Sequence, residues 1–146
     1  MISFLVKIFF LLLIIPYDIT ESQCLFYEVH IFNNLPRNSP QLQLHCASGD
    51  DDFGHQYPGV RKDYSWSFCE NWFPKTLYFC HFWWGFKEQA FEVFNNSNNC
   101  IDGGDKYVPD ETTKCVWQIQ KDGIYLGYVN STGQLHLTKY AEWLGN

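Results

Sequence analysis

Five histidines, six cysteines and a run of three aspartates are the residues of this chain that invite a chemical reading. Two histidines facing each other across a cleft are the minimum for acid–base cleavage of RNA, and His30, His45, His55, His81 and His136 are the candidates. Their setting argues against it. His30 and His45 alternate with apolar neighbours, which puts them on the solvent face of strands, and the chain is acidic, −6 at neutral pH, where an RNA groove is basic. Neither the GxSxG turn of a serine hydrolase nor the HExxH pair of a zinc peptidase is present. No catalytic residue is assigned, and no metal or cofactor is expected. Asp50-Asp51-Asp52 followed by Gly54 offers hard oxygens to calcium, but the acids are adjacent instead of alternating and no glutamate closes the run. Capping of turn amides is the preferred reading.

The cysteines depend on the compartment, which the first residues set. Lys7 precedes an unbroken apolar stretch, Ile8 to Ile15, followed by polar Asp18 to Gln23. That is the layout of a signal peptide, too short for the roughly 20 residues of a membrane span. Cleavage after Ser22 is expected, leaving residues 23–146 as one secreted, unanchored domain. The leader carries Lys7, Asp18 and Glu21, a net −1, so the −6 of the whole chain becomes −5. Lysines and arginines form no run in the sequence, so nucleic acid is not an expected partner. In an oxidising compartment Cys24, Cys46, Cys69, Cys80, Cys100 and Cys115 read as disulfides. None lies in a CxxC pair, and sequence alone leaves every connectivity open.

The elements that must carry these residues are strands. Gln41 to Cys46, Asp63 to Phe68 and Cys115 to Lys121 alternate apolar and polar residues, the last with Cys115, Trp117 and Ile119 inward. Asp122-Gly123 reads as a two-residue hairpin turn leading into Ile124 to Tyr128. Thr76 to Trp84 is apolar or aromatic on both faces apart from His81, which predicts a central strand covered on both sides. With Leu25 to Phe32, Gln89 to Phe94 and Leu135 to Tyr140 the set comes to about eight strands. The fold class expected is therefore all-β, a small disulfide-braced antiparallel β-sandwich, with a closed barrel as the runner-up.

Asn33 to Pro40, Ala47 to Lys62 and Asn95 to Lys114 are expected as loops, with glycan sequons at Asn95 and Asn130. Aromatic residues crowd the stretch from Trp66 to Phe86. Their strand-period spacing assigns most to the core, with Trp72 and Trp84 as the exceptions that would be free to stack on a sugar.

Several of these segments, taken in order, resemble the plant self-incompatibility protein S1 family. They are Val29-His30-Ile31-Phe32-Asn33-Asn34-Leu35, Leu44-His45-Cys46-Ala47-Ser48-Gly49-Asp50-Asp51-Asp52-Phe53-Gly54 and Trp66-Ser67-Phe68, then Thr76 to Trp84, Cys115-Val116-Trp117-Gln118-Ile119 and Asp122-Gly123-Ile124-Tyr125. The resemblance implies a secreted sandwich with two disulfides drawn from Cys46, Cys80, Cys100 and Cys115, for which Cys46–Cys115 and Cys80–Cys100 is the pairing adopted. Cys24 and Cys69 are additional to the family pattern, and a third bridge or an intermolecular bond would satisfy them. In poppy, members of the family act as stigma ligands that engage a pollen membrane receptor and halt pollen carrying the matching allele. By that resemblance the expected activity is a secreted, monomeric ligand for a cell-surface receptor, recognised through loops. Asp102, Asp105, Lys106 and Asp110, between Cys100 and Cys115, are the candidate contact residues. A lectin-like carbohydrate module is the second reading and a hydrolase the third.

Overall fold

A computed structural model describes residues 24–70, 76–95, 100, 108–109 and 112–145. Among them are nine strands: β1 Leu25–Asn33, β2 Leu42–Ala47, β3 Asp52–Gln56, β4 Asp63–Glu70, β5 Leu77–Trp84, β6 Lys87–Asn95, β7 Lys114–Gln120, β8 Gly123–Val129 and β9 Leu135–Ala141. They form a five-stranded sheet, β4-β1-β7-β8-β9, and a four-stranded sheet, β3-β2-β5-β6. Every pairing is antiparallel except that of β1 with β7, which is parallel. The fold is a disulfide-braced β-sandwich.

The period of two that marks each strand decides what fills the space between the sheets. Val29 and Ile31 from β1, Leu42 and Leu44 from β2, Phe82 from β5, Trp117 and Ile119 from β7 and Ile124 and Leu126 from β8 are fully or almost fully buried. Trp117 joins the layers: its indole N–H donates to the Val93 carbonyl of β6 at 3.0 Å, and its ring meets Phe91 and Tyr140, both at 4.8 Å between centroids. A register shift in the β5–β6 ladder lets the successive residues Val93 and Phe94 both turn inward.

Four expectations change. The Ala47 to Lys62 segment contains a strand, β3, which pairs with β2 at the edge of its sheet. Only one face of β5 is covered: Tyr78, Cys80, Phe82 and Trp84 are buried, while Leu77 and Phe79 are exposed. The hairpin loop is Lys121-Asp122, because Gly123 already pairs with Gln120. Gly123 has φ +151°, and a Cβ there would lie 2.6 Å from the Ala141 carbonyl oxygen, so the glycine admits β9 alongside. Trp84, placed among the free aromatics, is 8% exposed and donates its N–H to Ser39 Oγ at 3.2 Å; Trp72 lies outside the described residues. The half-buried tryptophan on the outer face is Trp83.

The chain ends by crossing between the sheets. Glu88 of β6 and Leu144 exchange two backbone hydrogen bonds of 2.9 Å, Gln89 Nε2 donates to the Glu142 carbonyl at 2.7 Å, and the Trp143 indole donates to the Gln120 carbonyl at 2.8 Å.

Candidate recognition surface

Strand directions gather the connections at two ends of the sandwich. One end carries the β2–β3 turn, the β6–β7 segment and the β8–β9 turn; the other carries the β1–β2 and β3–β4 loops, the two tight hairpin turns and the C-terminal crossing. Loops on a rigid frame are where recognition residues are usually found.

The sequence places its contact residues at the first end. Asp102, Asp105, Lys106 and Asp110 lie outside the described residues, but the feet of their segment are fixed. Cys100, fully buried, is bonded to Cys115 at the start of β7, Val108 is 5% exposed, and Thr112 Oγ1 donates to the Pro109 carbonyl at 2.6 Å. The foot of this segment and the β8–β9 turn share a cleft lined by Pro109, Thr112, Thr113, Lys114, Tyr128, Asn130 and Ser131, among others. Asn130 organises that turn, its Oδ1 accepting from Thr132 N, Thr132 Oγ1 and Gln134 N at 3.1, 2.7 and 2.8 Å, while its Nδ2 donates to His136 Nε2 at 2.9 Å. Asn95, the other sequon asparagine, is half-buried at the end of β6 and donates to Glu92 Oε2 at 2.6 Å.

The bridges differ from the pairing that the family resemblance implied. Cys46 is bonded to Cys80 and Cys100 to Cys115; Cys24 is bonded to Cys69. Cys46 and Cys80 are register partners on neighbouring strands with Cα atoms 4.1 Å apart, so the bond runs sideways within one sheet and not across the core. Cys69 lies opposite Phe26, two residues on from Cys24, on the β1–β4 ladder.

Within the run Asp50 to Asp52, Asp52 caps a turn amide and Ser48 caps another. Ser48 Oγ accepts from the Asp51 amide at 3.0 Å, Asp52 Oδ1 accepts from the Gly54 amide at 2.9 Å, and Asp51 Oδ2 accepts from the Tyr78 hydroxyl at 3.2 Å. Burial, and then that carboxylate, push the Tyr78 phenol up to about 12.

The histidines stand on open sheet faces. His45 donates to Asp52 at 2.6 Å, His81 to Glu88 at 3.1 Å, and His55 accepts from Gln43 at 2.7 Å, with the His81 ring stacked 3.8 Å from that of Trp83. His30 is held by two carboxylates, Asp63 at 2.7 Å and Glu28 at 3.0 Å. Partial burial would lower its pKa, but these two bonds outweigh it and the net direction is upward. Among the described residues no three His, Cys, Asp or Glu side chains are grouped to hold a metal ion.

Sequence reasoning passed over Asn33. It is 2% exposed, its Oδ1 accepts from the Leu35 amide at 3.0 Å, and its Nδ2 donates to the Pro58 carbonyl at 2.9 Å. This ties the β1–β2 and β3–β4 loops together. A polar residue at an inward position of an apolar strand was the available signal.

Comparison with known proteins agrees with this architecture. Residues 28–143 match the family described as plant self-incompatibility protein S1. The chain is 33% identical over 113 residues to S-protein homolog 2 of Arabidopsis thaliana, covering 75% of this chain and 67% of that one. It is 29% identical over 121 residues to self-incompatibility protein S1 of Papaver rhoeas, with 82% of each covered. A solved structure of SPH (self-incompatibility protein homologue) proteins, described as a widespread family of small, highly stable, secreted proteins from plants, superposes with a TM-score of 0.56 at 19% identity, over 82% of this chain and 96% of that one. With its sequence matched over most of its length and its fold shared, the chain belongs to the plant self-incompatibility protein S1 family.

Proposed function

We propose that this chain leaves the cell behind a signal peptide, residues 1–22, and works outside it as a monomeric recognition ligand for a cell-surface receptor protein. It acts by binding and not by catalysis. The contact lies at the end bearing the Cys100–Cys115 segment, with Asp102, Asp105, Lys106 and Asp110 facing the partner; rejection of self pollen is one use of such a ligand. The observation that carries this reading is the fixed footing of that segment, bridged by Cys100–Cys115 and anchored by buried Val108. A bridge at the base lowers the ordering entropy that a long segment loses on binding. Glycans are proposed on Asn95 and Asn130.

Saturable binding of the labelled, folded protein to plant protoplasts tests the proposal. Protease treatment of the cells is expected to abolish it, and D102A/D105A/K106A to weaken it at least about tenfold, as for loss of central interface contacts. Binding unchanged by the substitutions, or the absence of saturable binding, overturns it.

A further inference from the structure

The opposite end of the sandwich is basic in a molecule whose overall charge is −6. Seven described residues are Lys or Arg, and five of them, Arg37, Arg61, Lys62, Lys87 and Lys121, sit in the loops and turns of this end or directly beside one. Its acids are engaged: Asp63 by His30, Glu88 by His81, Glu142 by Lys139, and Asp122 by the Tyr125 hydroxyl. Arg37, Arg61, Lys62 and Lys121 are exposed and make no ion pair among the described residues. Counting Lys139, six cations at this end stand against these four carboxylates, so its net charge is positive, and this is invisible in the sequence because it is assembled from separate loops and turns.

These cations border an open cleft of about 480 Å³, whose lining sets Arg37, Arg61 and Lys121 against one carboxylate, Asp122, beside apolar Pro36 and Val60. Arg61 is the one described non-glycine residue with positive φ, +67°. Its strained backbone is fixed by a hydrogen bond from its amide to the Asn33 carbonyl at 2.8 Å, next to the bond from Asn33 N to the Lys62 carbonyl at 3.0 Å. Residues kept in such conformations cluster at functional sites. Arginine forks match carboxylates in a bidentate manner.

We infer that this cleft binds a carboxylated polysaccharide, a polyuronide, through Arg37, Arg61 and Lys121. The charge complementarity selects an anion. The open form of the cleft, with apolar Pro36 and Val60 between cations carried on separate turns, fits a chain that presents the apolar face of a sugar ring and a carboxylate at each repeat better than a run of acidic side chains. The site lies at the far end from the proposed receptor contact and does not depend on that reading.

Titration calorimetry of the whole mature protein with hexagalacturonate tests this. Binding is expected to weaken at least about fivefold between about 50 and 200 mM salt, as for screened surface charges. It should be lost on full methyl esterification of the sugar, and fall at least about tenfold in R37Q/R61N/K121Q. Asparagine is chosen at 61 because it tolerates positive φ, and far-UV circular dichroism confirms the fold of each variant. Lys114→Gln, at the other end, should bind as the parent does. Absence of binding, full binding by the triple variant, or equal binding of the methyl ester overturns the assignment. Equal affinity for poly-L-glutamate overturns it too, in favour of an acidic protein segment.

Discussion

Glu70 and Trp66 are the described side chains with a buried polar atom left without a hydrogen-bond partner. Glu70 is 6% exposed and its Oε1 has no hydrogen-bond partner, and burial pushes its pKa up, against the opposing bond from the Thr76 amide. A carboxyl raised in the folded state favours folding when protonated. Its contribution is therefore present below the ordinary glutamate range and lost as pH rises through its own higher value. Glu70→Gln should stabilise the protein by about 1 kcal/mol at pH 7 and by nothing measurable at pH 4, checked by urea unfolding at both. His30 follows the same sign from a different cause, since its net pKa is raised by Glu28 and Asp63. The stability it adds is complete below the usual histidine range and disappears as pH rises through its raised value. His30→Gln should lower Tm more at pH 5 than at pH 8.5, measured by thermal scans, and an equal loss at both would show that the clamp is not ionic.

Among the elements, the disulfides give the sharpest test. Non-reducing peptide mapping should link the peptide containing Cys46 to that containing Cys80, and replacing both by alanine should cost roughly 3 kcal/mol. The strands with clean alternation were legible from sequence: β2, β4 and β7 run close to where the pattern put them. β3 was not, because Asp52, Gly54 and Gln56 are poor strand formers and Phe53 is its one large apolar residue. The aromatic β5 misled for a related reason. Its outer residues Phe79 and Trp83 look like core by composition, and nothing local tells that one face of the sheet has no layer over it. The disulfide pairing was illegible because it follows from strand order, which sequence spacing does not encode. Of the candidate site, the long connection between β6 and β7 was legible but the bridge that closes it was not, nor was the cationic end, since Arg37, Arg61 and Lys121 meet only after β1, β3 and β7 are placed.

For the whole molecule, the two sheets are fastened at the core by Trp117 and at the margin by the C-terminal crossing. Trp117→Phe removes the bond to the Val93 carbonyl and part of a large buried ring; it should cost about 3 kcal/mol, read from chemical denaturation. Ending the chain at Ala141 removes Trp143, which packs on Trp84 at 5.7 Å, and both backbone bonds between Leu144 and Glu88. The loss should reach about 3–5 kcal/mol, with a single cooperative transition retained. A truncated chain as stable as the parent would show that β6 and β9 hold together without the crossing.

The bridges also set a problem of timing. A chain that enters an oxidising lumen N-terminus first presents Cys24, then Cys46, before either native partner has arrived, because Cys69 and Cys80 come later and the two bonds interleave. Cys24 and Cys46 are thus the first thiols able to meet, and that bond is wrong. Efficient maturation requires it to be reshuffled by thiolate attack, whereas Cys100 and Cys115, separated by 15 residues, can close at once and correctly. The yield of this protein should therefore depend on a disulfide isomerase far more than its small size suggests.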